Sequence, residues 1–155
     1  MQNLWVFKRN RGYTGFTIIE LLVVVAIVGI LSAVMVASFS SVFDSRSLEL
    51  DTASVTSMLE EARIRTVAAQ DREAHGVYFA STTATLFADT YSESDPDNEV
   101  ITFANGVSLN TNLTGGGSTV LFNRITGATG NNGTVTLSNA ATSSVITIQA
   151  TGLIE

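Results

Sequence analysis

The chain has 155 residues, 45% of them apolar, with no cysteine and a net charge of −6 at pH 7. That length holds one domain plus an anchor, and the absence of cysteine excludes a disulfide framework, thiolate metal sites and thiol catalysis. Charge is segregated: Lys8, Arg9 and Arg11 precede residue 16, and beyond them five basic residues face fourteen acidic ones, a net of −9. So acidic a surface opposes electrostatic binding to nucleic acid, and no nucleic-acid partner is expected.

Residues 1–15 form a short basic segment ending in Gly15. Residues 16–39 then read FTIIELLVVVAIVGILSAVMVASF, and residues 21–37 are 17 positions without a charge. With Phe16, Ile18 and Ile19 the run reaches the ~20 residues that cross a bilayer core. The basic flank predicts that residues 1–15 stay on the cytoplasmic side and that the carboxy-terminal part faces outward. A secretory signal peptide would instead be cut after the apolar run, where Val36-Ala37-Ser38 before Phe39 is the best small-x-small candidate,. Neither that reading nor an ordinary single-span anchor accounts for Glu20.

Glu20 lies inside the apolar run, where a carboxylate costs roughly 2.5–3.5 kcal/mol on insertion scales and calls for a partner. A chain beginning at Phe16 has its free amine four residues earlier, on the same helical face. A carboxylate in the first turn also complements the helix dipole. A cut between Gly15 and Phe16 therefore creates the cation that Glu20 needs, from its own chain or from a neighbour.

Lys8 to Arg11 followed by Gly15-Phe16-Thr17-Ile18-Ile19-Glu20-Leu21-Leu22-Val23-Val24 resembles the class III signal of type IV pilins and type II secretion pseudopilins. The resemblance implies a prepilin peptidase/methyltransferase that cuts after Gly15 and methylates the amine of Phe16. It also implies that Glu20 steers the subunit into a growing filament. The implied partners are membrane lipid before assembly, an inner-membrane assembly platform, and other pilins or pseudopilins packed helix to helix. The implied location is the cytoplasmic (inner) membrane, single-pass, with the head on the periplasmic or outer side, and then the filament. The family commonly has a proline where Ala37 stands; this chain's only proline is Pro96. Without a mid-helix proline the anchor is expected to be straighter, with any weakness at Gly29 or at Ser38, Ser40 and Ser41.

Past Phe43 the pattern becomes amphipathic. Leu48, Val55, Met58, Leu59, Ala62, Thr66 and Ala69 recur at three- and four-residue spacings and predict a buried stripe,. Glu61 and Arg65 form an i,i+4 pair in the favourable order. No breaker interrupts residues 44–74, so one helix is expected from about Thr17 to about Gln70, ~80 Å long at 1.5 Å per residue.

From Gly76 the period falls to two. Strands are predicted at 76–80, 85–88, 100–103, 107–109, 119–123, 134–138 and 144–149, separated by Gly- and Asn-rich turns, with Gly115–Gly117 as a flexible hairpin tip. The expected class is α+β: one long amino-terminal helix, membrane-spanning in its first half and amphipathic in its second. Its second half packs on a small antiparallel sheet or sandwich. The organisation reads as a leader at 1–15, a membrane and assembly helix at 16–39, an amphipathic helix at 40–74 and a β-rich head at 75–155.

The segments Val120 to Gly127, Gly133 to Leu137, Val145 to Ile148 and Thr151 to Ile154, with Glu61 to Ala68 leading into His75-Gly76-Val77-Tyr78-Phe79, carry a second, looser resemblance. The head is similar to H-type (GspH/FimT-like) minor pseudopilins of type II secretion and to the related FimT-like minor pilins. That implies a minor subunit supporting protein secretion. A DNA-uptake or adhesion minor pilin, binding a ligand through its head, is the alternative.

Enzyme chemistry has no constellation to rest on. His75 is the only histidine, and no G-x-S-x-G, H-E-x-x-H or P-loop pattern occurs,. Asp95, Asp97 and Glu99 alternate in an acidic loop and are the one candidate for a metal, calcium, although the glycine and distal glutamate of a calcium-binding EF loop are missing. The plainer expectation is a solvated loop and no cofactor.

Overall fold

The computed structural model describes residues 15–68 and 72–155; the side chains of residues 36–42 lie outside the description. The leader at 1–14, and Ala69 and Gln70 at the expected end of the helix, fall outside it as well. The order of elements is a helix α1 (Ile18–Val67) followed by strands β1 (His75–Phe79), β2 (Thr83–Ala88), β3 (Glu99–Thr102), β4 (Ser108–Leu113), β5 (Thr119–Leu121), β6 (Gly133–Ser138) and β7 (Ser143–Ile148). All seven predicted strands are present, within a few residues of their expected ends.

Two compact units divide the chain, 1–39 and 40–155. In the first, the helix is apolar on every face, and residues 18–35 are exposed throughout. The helical backbone continues through Ala37, but the side chains at 37, 38, 40 and 41, on which the expected stiffness was argued, are among those outside the description.

In the second unit the helix is amphipathic, as its spacing predicts. Leu48, Val55, Met58, Leu59, Ala62 and Thr66 are all buried. The five apolar ones share one core with Val77, Phe79, Leu86 and Val120 of one sheet and Leu109, Leu113, Val135, Leu137, Ile146 and Ile148 of the other. The first sheet has the order β3-β2-β1-β5 and the second β4-β6-β7, every pairing antiparallel. In the second sheet the inward residues follow the two-residue period: Leu109 faces Leu137, and Val135 faces Ile146,.

β1 departs from alternation and is buried at four of five positions. It is a central strand whose inner face meets the core and whose outer face is roofed by aromatic rings. Tyr91 stacks on Tyr78 with centroids 4.0 Å apart and meets Phe87 edge-on at 5.6 Å. Phe87 lies over Gly76, where a Cβ would come within 2.8 Å of its ring and 2.5 Å of the Val120 carbonyl oxygen.

Two expectations are corrected. β4 runs to Leu113 instead of stopping at 109, because Thr111 keeps the register with Val135 and its hydroxyl donates to the Gly117 carbonyl at 3.0 Å. Gly115–Gly117 is not the tip of a hairpin between paired strands. β4 pairs with β6 and β5 with β1, so the three glycines, all at positive φ, carry the chain from one sheet to the other.

Polar contacts tie the helix to the head. The Asp51 carboxylate accepts the Ala104 N–H at 2.8 Å, and the Asn139 side-chain amide donates to the Asp44 carbonyl at 2.7 Å. Arg63 donates through Nε to the Gly127 carbonyl at 3.2 Å. Buried Thr66 accepts the His75 N–H at 2.8 Å, which joins the end of the helix to the start of β1. Asp51 and Thr66 thereby satisfy the backbone N–H groups of Ala104 and His75,.

Candidate processing and assembly site

Gly15, Phe16 and Thr17 precede the helix in non-helical backbone. Phe16 is 84% exposed, and a Cβ at Gly15 would meet nothing within 4 Å. The bond between Gly15 and Phe16 thus sits in an exposed, non-helical segment next to the helix.

Thr17 is the helix N-cap. Its hydroxyl accepts the Glu20 N–H at 3.3 Å, and its carbonyl accepts the Leu21 N–H at 3.2 Å. Glu20 consequently occupies the third helical position, and Thr17-Ile18-Ile19-Glu20 has the Thr-x-x-Glu form of a capping box,. Glu20 stands among helix donors that have no intrahelical partner, where a carboxylate is favoured. Thr17 had no assigned part in the sequence reading, although the four-residue pattern was there to find.

Phe16 lies one residue before the cap, in non-helical backbone, so it does not share a helical face with Glu20 as the four-residue spacing suggests.

In the head, Asp95, Asp97 and Glu99 do not converge on a point. Asp95 accepts the Asp97 N–H at 3.0 Å, while Glu99 pairs with Arg65 at 2.6 Å. Among the described residues no three His, Asp or Glu side chains gather as a metal set. Arg65 also holds Glu61, the pair expected from its spacing, and the hydrogen bond to Glu99 raises the Arg65 guanidinium above its ordinary value against an opposing effect of burial. His75 is buried at the first position of β1.

The comparisons with known proteins address these two halves separately. A family model described as the prokaryotic N-terminal methylation motif matches residues 8–36. No curated protein matches the chain. A crystal structure of the type IV minor pilin FimU of Pseudomonas aeruginosa strain PAO1 superposes with a TM-score of 0.57 at 16% sequence identity, covering 73% of this chain and 90% of that one. At that identity the likeness speaks for the fold, and the fold is pilin-like. The helix Ile18–Met35, which lies within the matched segment, is long and apolar enough to cross a membrane by length and composition. The chain therefore carries the amino-terminal methylation motif of type IV prepilins on the fold of a type IV minor pilin.

Proposed function

We propose that the chain is a minor subunit of a type IV pilus-like filament, in the form of a type II secretion pseudopilus supporting protein secretion. The observation that carries this reading is the helix at Ile18–Met35, long and apolar enough to cross a membrane and with no part of it buried in its own chain. Such a surface needs lipid at one stage and the helices of neighbouring subunits at the next.

In this reading a prepilin peptidase cuts between Gly15 and Phe16, the Phe16 amine is methylated, and the chain rests in the inner membrane with its head outside. The amine of one subunit and the Glu20 of the same or a neighbouring subunit then neutralise each other as the helices leave lipid. A charge kept in an apolar environment is tolerated only when it finds a partner, so the pair sets the depth at which a new subunit seats.

The alternative is a minor pilin that takes up DNA or adheres through its head. The five arginines of residues 40–155 offer little to a phosphate backbone. Arg63 is bound to Gly127 and Arg65 to Glu61 and Glu99, which leaves Arg46, Arg72 and Arg124 exposed on a chain rich in acidic residues. Two measurements test the proposal together. The mature chain is expected in the sheared filament fraction of cells that make the system. Detergent-solubilised protein is expected to leave duplex DNA unshifted in a gel at low salt. Absence from the filament fraction would refute the proposal, and a salt-sensitive shift would turn it toward DNA uptake.

A further inference from the structure

The sequence holds two Asn-Gly pairs, Asn105-Gly106 and Asn132-Gly133. An asparagine followed by glycine is the most readily deamidated, because glycine has no Cβ to hold its backbone nitrogen away from the preceding side-chain amide. Reaction then depends on whether that nitrogen is free to move. The fold treats the two pairs differently.

Asn105 and Gly106 lie exposed in the turn between β3 and β4. The turn is closed by the Val107 N–H, which donates to the Ala104 carbonyl at 3.0 Å. The Gly106 N–H takes no part in it. Among the described residues neither that N–H nor the Asn105 side-chain amide has a hydrogen-bond partner. A Cβ built on Gly106 would meet nothing within 4 Å, so water and both reacting groups have room.

Asn132-Gly133 is held. Gly133 opens β6, in register with Leu113 on one side and Ile148 on the other. Thr147 turns its backbone groups outward, where they exchange hydrogen bonds with Glu155. Those of its neighbour Ile148 therefore point at Gly133, whose N–H belongs to the ladder,. A Cβ on Gly133 would overlap the Asn112 carbonyl oxygen, and the Asn132 carbonyl accepts the Thr114 N–H at 2.7 Å. Ring closure at Asn132 must break the start of a strand, whereas at Asn105 it breaks no hydrogen bond.

We propose that Asn105 is a site of spontaneous modification, deamidating to aspartate and isoaspartate in the folded chain while Asn132 is protected. The Gly106 nitrogen attacks the Asn105 Cγ and loses its proton. The side-chain NH2 departs with that proton as ammonia, and a succinimide ring remains. Water then opens the ring. Attack at Cγ gives aspartate, and attack at the main-chain carbonyl gives isoaspartate, whose backbone runs through the side chain. Either product sets a new carboxylate one residue from Ala104, whose N–H the Asp51 carboxylate holds at 2.8 Å. Isoaspartate also lengthens a turn whose flanks, Phe103 and Val107, are both buried in the core. The modification therefore loosens a tie between helix and head. The inference does not depend on which filament system the chain serves.

The test incubates the full chain in detergent in mildly alkaline buffer. Both sites are followed by peptide mass mapping, and isoaspartate is counted by enzymatic methyl labelling from S-adenosylmethionine. Conversion at Asn105 is expected to run at least fivefold faster than at Asn132 in the folded chain. In urea, where both pairs are free, the two rates should fall within twofold of each other. A smaller ratio in the folded chain, or an Asn105 that reacts only in urea, overturns the proposal. A gap that persists in urea overturns the assignment of the protection to the fold. Protein with Asn105 largely converted is expected to unfold at a lower temperature than before incubation, while an Asn105→Gln chain incubated alongside keeps its own unfolding temperature. An unchanged unfolding temperature in the converted protein, or an equal fall in both, overturns the claim that the product loosens the head.

Discussion

Glu20→Gln is expected to leave cleavage at Gly15 intact and to lower the amount of subunit in the filament fraction more than tenfold. The substitution separates two things that Glu20 does. As the third residue of a capping box, glutamine serves nearly as well as glutamate, so the Thr17 cap and the start of the helix survive. The charge does not survive, and the amine at Phe16 is then left to enter the filament core unpaired. Breaking one partner of a buried ion pair costs about 3–5 kcal/mol, more than enough for a tenfold loss. Glu20→Ala should behave alike, with a further small loss from the weakened cap. Thr17→Ala supplies the complementary control: it removes the cap for about 1 kcal/mol and should cost little assembly. Normal incorporation of Glu20→Gln would mean that the carboxylate acts through helix capping and not through pairing with the amine.

Gly152→Ala is expected to be the most damaging conservative change in the head, by about 3 kcal/mol, a fall of roughly 10–20 °C in Tm. Two effects add. Gly152 has φ 79°, where a Cβ costs about 1–2 kcal/mol,. The new Cβ would also overlap the Gly127 carbonyl oxygen, and overpacking of this kind costs about 1–3 kcal/mol,. That carbonyl is the acceptor for Arg63, so any shift that relieves the overlap pulls on the contact that holds the helix to the head. Gly115→Ala is the internal control. Its φ of 85° is equally unfavourable, yet a Cβ there meets nothing within 4 Å, so only the conformational part of the loss should appear. Equal losses at the two positions in thermal unfolding would show that the packing around Gly152 is looser than described.

Much of the fold was legible in the sequence, for reasons particular residues make plain. Leu48, Val55, Met58, Leu59, Ala62 and Thr66 recur with the helical period, and every one of them is buried. The strands stood out because valine, isoleucine and threonine alternate between turns rich in glycine and asparagine. Less legible was whatever depends on contacts far apart in the chain. Nothing local says that β1 lies between β2 and β5, or that Gly115–Gly117 crosses between sheets. The end of β4 was missed because Asn110, Thr111 and Asn112 look like loop, while their pairing with β6 decides otherwise.

The same division runs through the functional residues. Gly15, Phe16 and Glu20 announce themselves because a basic flank, an apolar run and one misplaced carboxylate are all local features. Thr17 escaped because a polar residue next to an apolar run reads as a boundary until its hydrogen bond to Glu20 is seen. The acidic loop is a different case. Glu99, which alternates with Asp95 and Asp97, pairs with Arg65, 34 positions earlier, and Asp95 accepts a hydrogen bond within its own loop, contacts that no local pattern announces.

The most direct test of the account is the mass of the amino-terminal peptide of the mature protein, isolated from the membranes of cells that express the full chain with its processing machinery. The account requires a chain that begins at Phe16, with one methyl group on its amine. A mature chain that begins at Met1 or at Phe39 would contradict it, because in the first Glu20 has no chain-terminal amine near the start of its helix and in the second Glu20 itself is lost.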